Sequence, residues 1–251
     1  MSGGHFSILE AVKKAYMFAG AQWRYLLRLC ALPLVLHLAT AAGIQSLRPD
    51  ASIIETFLWS LPANVAFAWF MFAEARLLLL GERVDRLPPD AAYLADRRHA
   101  MRVSIIILLL FDMALTAIAA CMDWAVHSGG FGTDAAVTVP ILFLLGTLFW
   151  GLRFAVAPIL ASVGYPLRSF LRRVHGMEFS VRLLGLGFLC ALPVYFVLEI
   201  LLESFLPVTG EITPDQMTAL IILSAPVAII VPALLNAAAA FALKDMLKGP
   251  P

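Results

Sequence analysis

Five of the ionisable side chains within the apolar runs of this sequence are candidates to bind a cation, relay a proton or fix helix packing. They are His37, Asp112, Arg153, Glu199 and Glu203. A charge at the middle of a membrane-spanning helix costs about 2.5–3.5 kcal/mol on insertion scales, so such a residue generally has a partner or a function. These five buried-charge candidates are therefore where a functional site is expected.

Asp112 and Arg153 fall at similar depths on two apolar runs that are neighbours in the chain. A helix rises about 1.5 Å per residue, so antiparallel helices would bring the two side chains to nearly the same level. Pairing would remove most of the cost of burying either charge alone. We favour an ion pair that fixes helix register, and a transport or proton-relay role is the alternative.

Glu199 and Glu203 are four residues apart, so they share one face of a helix. Either they line a cavity open to cations or protons, or they approach water at the helix end. Glu203 fits the second interpretation better than Glu199. His37 is alone on an apolar run, which is typical of a hydrogen-bonded core residue.

Other polar side chains in the apolar runs have structural interpretations. Glu74 and Arg76 stand near the end of one run, so we expect them at the membrane interface, with Arg76 extended toward the headgroups. Asn64 and Asn236 are suited to hydrogen bonds between helices.

Motifs of known chemistry are absent from the sequence. There is no G-x-x-x-x-G-K-[ST] phosphate loop, no H-E-x-x-H zinc motif and no G-x-S-x-G nucleophile turn. Scattered histidines and two glutamates on one helix do not make a catalytic constellation. The sequence therefore predicts no catalytic residue, no cofactor and no metal site.

The composition indicates a membrane protein. Hydrophobic residues make up 61% of the chain and charged residues 14%. Soluble domains are usually about 45–50% apolar and about 25% charged, so this chain has too little polar surface to cover a water-soluble globule. We predict one all-α transmembrane domain over residues 1–251, a six-helix bundle.

A helix needs about 20 apolar residues to cross the core of a bilayer. Six apolar runs in the sequence are about this long or longer, and we expect these six helices to position the candidate residues. They cover residues 25–44, 53–77, 103–123, 137–160, 183–205 and 217–243.

The distribution of basic residues predicts the orientation. Sixteen of the eighteen Lys and Arg residues belong to one side by this layout: they precede or open span one, end span two or follow it, lie between spans four and five, or follow span six. The positive-inside rule then places both termini in the cytoplasm, in a bacterial inner membrane. A cleaved signal peptide ending at Ala39-Thr40-Ala41 is a less favoured alternative, because the charged segment before it is long and helix-like.

Two short basic amphipathic helices are predicted before spans one and five, over residues 6–20 and 166–181. Their apolar stripes suit the headgroup layer. The sequence "LCALP" occurs in both following spans, at 29–33 and 189–193, which indicates an internal repeat. The residues expected to meet anionic lipid headgroups are Lys13, Lys14, Arg24, Arg168, Arg172, Arg173 and Arg182.

One stretch of about 40 residues has a recognisable order of motifs. It contains Arg153-Phe154, Ala157-Pro158, Leu167-Arg168-Ser169, Gly176 and Arg182. This order resembles the membrane domain of glycerophosphodiester phosphodiesterases and related uncharacterised six-helix bacterial inner-membrane families. The sequence departs from that pattern at Gly164, where an acidic residue is common, and at Phe179, near the usual Trp.

The resemblance implies a six-helix membrane fold but not the phosphodiesterase activity. In those enzymes catalysis belongs to a separate soluble barrel domain. This sequence shows neither alternating strands and helices nor a metal-binding cluster in a soluble segment. We therefore do not carry the activity over.

Three functions remain as hypotheses. The favoured one is a non-enzymatic membrane protein that engages anionic phospholipid and organises the membrane or a partner. The alternatives are a small-solute or lipid transporter that uses Asp112, Arg153 and Glu199, and an intramembrane lipid-modifying enzyme. Nucleic acid is not an expected partner, because the basic residues flank apolar spans. A protein partner or a homo-oligomer stays open.

Overall fold

The computed structural model describes residues 6–47, 50–127, 146, 151–174, 177–205 and 214–247. Over these ranges the chain is helical and contains no strand, as the composition predicts. The helices in chain order are α1 (Ile8–Leu47), α2 (Ile53–Leu80), α3 (Ala91–His127), α4 (Ala157–Ser162), α5 (Leu167–Arg173), α6 (Met177–Phe205) and α7 (Pro214–Leu247), with a 3-10 turn at Val84–Arg86 before α3.

Five of these helices, α1, α2, α3, α6 and α7, are long and apolar enough to cross a membrane. Each contains one of the predicted spans, at 25–44, 53–77, 103–123, 183–205 and 217–243. The remaining predicted span, 137–160, lies mostly outside the described residues. Its described part belongs to a shorter apolar helical segment, Gly151–Ser162. A membrane protein with several spans follows, and the sixth span stays a prediction.

Local sequence determines both ends of α2. Ser52 Oγ accepts the backbone N–H of Glu55 at 3.3 Å, and the Glu55 carboxylate accepts the N–H of Ser52 at 3.0 Å. This capping box satisfies two N–H groups that have no partner within the helix. At the other end Gly81 has φ of 70° and donates its N–H to Leu77 at 3.1 Å. Glycine adopts this left-handed conformation readily, so the helix ends there.

The amphipathic segment predicted over 6–20 is continuous with the first span. α1 runs from Ile8 to Leu47, and Gly20 lies inside it. Ala11 and Ala15 are buried in the protein core, while Leu9 is 72% exposed. A glycine inside a helix costs about 1 kcal/mol relative to alanine, which packing of the alanine face can offset. The first turns of α1 are therefore part of the bundle.

The amphipathic segment predicted over 166–181 is divided in the structure. α5 ends at Arg173, and α6 begins at Met177. Phe170 and Val174 from its apolar stripe are buried in the protein core. The Phe170 ring meets the Phe179 ring edge to face, with centroids 5.6 Å apart. This part of the stripe therefore packs against the protein.

α7 is enclosed by its neighbours near its C-terminal end. Four consecutive residues, Ala237–Ala240, are each 4% exposed or less. Successive helical residues point about 100° apart, so the helix is covered on every side there. α1, α2 and α6 all contact it. The small alanine side chains allow the helix backbones to approach closely, which favours van der Waals packing in a bilayer.

The first turns of α1 and α6 meet the last turns of α2 and α7 at what we call the basic end of the bundle. Lys14 Nζ lies 3.1 Å from Asp245 Oδ2, which joins α1 to α7. Arg182 Nη1 donates to the Phe6 carbonyl at 2.6 Å, which joins α6 to the start of the described chain. The helix ends that the charge distribution assigns to one side of the membrane are therefore together in space.

A buried charge cluster fastens this end. The Glu82 carboxylate accepts hydrogen bonds from Arg76 Nε at 2.7 Å, from Arg97 Nε at 2.6 Å and from the Tyr93 hydroxyl. Arg76 Nη1 also donates to the Ser162 carbonyl at 2.6 Å, at the end of α4. The side chains of Arg76, Arg97 and Glu82 are all less than 10% exposed. Arg76 thus lies inside the protein, and the expectation that it extends to the headgroups is wrong.

Replacing Glu82 with Gln is expected to lower the free energy of unfolding by about 3–5 kcal/mol at neutral pH, because two buried guanidinium groups lose their counter-charge. Unfolding in mixed micelles of neutral detergent and sodium dodecyl sulfate, followed by tryptophan fluorescence, measures this change. Asp85→Asn is the control. Asp85 pairs with Arg83 at the surface, where the loss should be about 1 kcal/mol or less.

The same variant should remove a dependence of stability on pH. Burial alone would raise the pKa of Glu82, but hydrogen bonds from Arg76, Tyr93 and Arg97 outweigh it and hold the pKa below the ordinary 4.5. A carboxyl with a lowered folded-state pKa stabilises the fold above its unfolded pKa and loses that contribution as the pH falls through the folded value. The difference in unfolding free energy between wild type and Glu82→Gln should therefore become smaller as the pH falls below 4.5. A constant difference down to about pH 3 would contradict this.

Candidate functional site

A cavity of about 410 Å³ lies inside the bundle, between α1, α2, α3, the segment 151–162, α6 and α7. Most of its wall is apolar. Four polar side chains face it: His37, Asn64, Asp112 and Asn236. Ligand pockets in proteins commonly have volumes of about 300–1,000 Å³ and apolar walls with a few placed polar groups. This cavity has that character.

Asn64 and Asp112 form the best-defined polar contact of the cavity. Asn64 Nδ2 donates to Asp112 Oδ2 at 2.7 Å, which joins α2 to α3. Ser60, one turn earlier on α2, lies 3.3 Å from the same Nδ2 through its Oγ. A carboxylate surrounded by apolar side chains is costly unless a donor meets it. Asn64 therefore fixes where the Asp112 carboxylate points.

The expected ion pair between Asp112 and Arg153 is not what the structure shows. Arg153 Nε donates to Ser180 Oγ at 3.3 Å, at the start of α6. Its neighbours Leu152 and Ala155 line the cavity, whereas Arg153 itself does not. Sequence position gives the height of each side chain along the bundle. It does not give the direction in which the side chain points.

A second polar pair lies beside the cavity and was not foreseen. Asn236 Nδ2 donates to Glu74 Oε2 at 2.8 Å and to the Met71 carbonyl at 3.2 Å. Glu74 is 1% exposed, so its carboxyl group lies within the protein, and its depth relative to the membrane interface stays a prediction. The signal was present in the sequence, since a glutamate and an asparagine in two apolar runs each need a polar partner.

The remaining buried-charge candidates are in different places. His37 is half-buried and lines the cavity one turn after Pro33. Glu199 and Glu203 are exposed on α6 and do not line this cavity, so the structure does not support a role for Glu199 in it. The structure brings His37 and Asp112 to one cavity and leaves Arg153 and the two glutamates outside it.

The predicted headgroup residues fall into two groups. Lys13, Arg24, Arg168 and Arg172 are exposed. Lys14 pairs with Glu10 and Asp245, and Arg182 pairs with Glu178, so their charges are met by carboxylates of the same chain. The Arg173 side chain lies outside the described part of the structure.

A double-mutant cycle distinguishes the observed contact from the expected ion pair. Asn64→Ala combined with Asp112→Asn should give a coupling free energy between about 0.6 kcal/mol, the mean measured for polar contacts within bilayers, and about 1.7 kcal/mol, the maximum. Arg153→Gln combined with Asp112→Asn should give a coupling near zero. The four unfolding free energies of each cycle, measured in mixed micelles, supply both values. The reverse ranking would show that the ion pair forms in the membrane.

Comparison with known proteins adds no assignment. No family model matches the chain, and neither a curated protein nor a solved structure matches it. The resemblance to the membrane domain of glycerophosphodiester phosphodiesterases therefore stays a prediction.

Proposed function

We propose that this protein is a membrane carrier that holds a small amphipathic molecule in the cavity lined by His37, Asn64, Asp112 and Asn236, which we call the central cavity. The observation that carries the proposal is the cavity of about 410 Å³ that reaches Asp112 inside a bundle of apolar helices. An ionisable residue within a membrane segment that faces a cavity is a marker of substrate or ion pathways.

The polar groups of the cavity favour a ligand that donates hydrogen bonds. The Asp112 carboxylate accepts hydrogen bonds. Asn64 uses its Nδ2 on Asp112, and Asn236 uses its Nδ2 on Glu74 and Met71, so each amide presents its oxygen as the remaining group. A ligand with an ammonium or amine group and an apolar body would meet these acceptors and the apolar wall.

The helices around the cavity contain the features that allow them to bend. Pro33, Pro158 and Pro232 all line it. A proline removes one backbone hydrogen bond and tends to kink its helix. The segment 151–162 is interrupted at Val156, which also lines the cavity. Interrupted helices at a central binding site are typical of transporters that alternate between two open states.

Two naphthalene compounds of opposite charge test the binding step. In neutral detergent, 1-naphthylmethylamine should bind at least about tenfold more tightly than 1-naphthoic acid, because only the amine can donate to Asp112. Isothermal titration calorimetry measures both affinities. Asp112→Asn should abolish the preference, while Glu199→Gln, an exposed carboxylate on α6, should retain it.

Transport requires a second measurement. In liposomes, the wild-type protein should take up radiolabelled 1-naphthylmethylamine faster than Asp112→Asn, and the variant should match liposomes without protein. Equal uptake by wild type and variant would contradict a carrier that uses this residue.

A second function is favoured by the exposed basic residues. Arg24 and Arg28 are exposed on α1. The Arg24 guanidinium lies 5.3 Å from the ring of Trp23, which is 53% exposed. Tryptophan and arginine are enriched where membranes meet water. We propose that this surface engages anionic lipid, as the charge distribution predicts. Each surface cation would contribute about 1 kcal/mol.

Nanodiscs test the lipid surface. The wild-type protein should melt at a higher temperature and retain more lipid in discs that contain phosphatidylglycerol than in discs of phosphatidylcholine alone. Arg24→Gln with Arg28→Gln should reduce that difference, because two exposed charges are removed. Equal melting temperatures and equal retained lipid in both discs would remove the idea.

A further inference from the structure

A second cavity, of about 720 Å³, lies at the basic end between the end of α2, the start of α3 and the chain from Ala161 to Leu167. Arg76, Tyr93 and Arg97 lie on its wall, beside the buried Glu82 cluster. It shares no lining residue with the central cavity. We propose that this cavity is a binding site for a phosphate group, with Arg97 as its principal ligand.

The buried cluster beside this cavity carries more positive than negative charge. The cluster holds two buried guanidinium groups, on Arg76 and Arg97, against one buried carboxylate, on Glu82. One positive charge is therefore in excess beside the cavity. Asp96 also lines the wall, but it is exposed, and water screens an exposed carboxylate far more than a buried group. An anion in the cavity would balance the excess charge of the cluster.

One N–H donor group of Arg97 has no hydrogen-bond acceptor within the described part of the chain. Among the described residues, Nη2 of Arg97 is buried and has no hydrogen-bond partner. Arg97 as a whole is 8% exposed. A buried donor without an acceptor costs about 1–3 kcal/mol, and more when it is charged. Because Arg97 lines the cavity, a small rotation of its guanidinium group would bring this donor to a ligand oxygen there. Arg76, by contrast, uses Nε, Nη1 and Nη2 on Glu82, Ser162 and Tyr93.

The wall of this second cavity has a basic part and an apolar part. Beside the arginines and Tyr93, the wall includes the apolar side chains of Leu80, Val103 and Ile107. A phosphate oxygen suits the guanidinium groups, which bind oxyanions through paired, charge-assisted hydrogen bonds. A hydrocarbon chain attached to it would suit the apolar part. Free inorganic phosphate has the same oxygen atoms as a lipid phosphate group. The experiment therefore compares a phospholipid with inorganic phosphate.

The probes are dihexanoyl phosphatidic acid, dihexanoylglycerol and inorganic phosphate, each titrated calorimetrically into the full chain in neutral maltoside detergent. The phosphatidic acid should bind, and removal of its phosphate should weaken binding by about tenfold or more. Comparable binding of inorganic phosphate would support the site and identify free phosphate as sufficient. Failure of both phosphate compounds to bind would overturn the proposal.

Neighbouring arginines give a matched pair of variants. Arg97→Gln should weaken phosphatidic acid binding by about tenfold or more, because the buried donor is lost. Arg98→Gln removes the same charge from an exposed position and should change it by about twofold or less. Equal effects of the two variants would show that surface charge, and not this cavity, holds the lipid.

A third variant keeps the test decisive if Arg97→Gln does not fold. Ala100 lines the cavity on α3, and Ala100→Phe fills it without changing any charge. Binding of phosphatidic acid should fall by about tenfold or more, because the ligand and the ring compete for one space. Unchanged binding in this variant would overturn the proposal even with the arginine intact. Neither result depends on Asp112 or on the central cavity.

Discussion

A charge removed from water and from lipid headgroups has to find its partner within the chain. At the basic end, Glu82 is the shared partner of Arg76 and Arg97, with side chains less than 10% exposed. Arg76 is also bonded to the Ser162 carbonyl. The cluster thereby holds the end of α2, the start of α3 and the end of α4 in one place. Helix ends that are far apart in the sequence are fixed relative to one another by this requirement.

The same requirement operates in the middle of the bundle with neutral partners. Asp112 is met by Asn64, and Glu74 is met by Asn236, so each of these two carboxyl groups has an amide from another helix. These contacts use the side-chain N–H groups of both amides. The packing of α7 against α2 brings Asn236 close enough to reach Glu74. The partners of these buried carboxyl groups and the proposed preference of the central cavity for a hydrogen-bond donor therefore have one physical origin.

Much of the helical framework was predictable, because the length of an apolar run and the position of caps are local properties. Ser52 and Gly81 determine the ends of α2 without reference to the rest of the chain. The amphipathic segments were harder to interpret. An apolar stripe with basic flanks looks alike whether it meets lipid or protein, and only the positions of Ala15 and Phe170 in the core decide between them.

The sequence by itself determined that this is an apolar, helical membrane protein whose basic residues gather at one end of the bundle, because composition and spacing record hydrophobicity and length. Only the tertiary structure decided which polar groups meet. Asp112 pairs with Asn64 instead of the Arg153 expected from depth, and Arg76 turns inward to Glu82. Rotation of each helix about its own axis determines these partners, and that rotation depends on packing among all the helices at once.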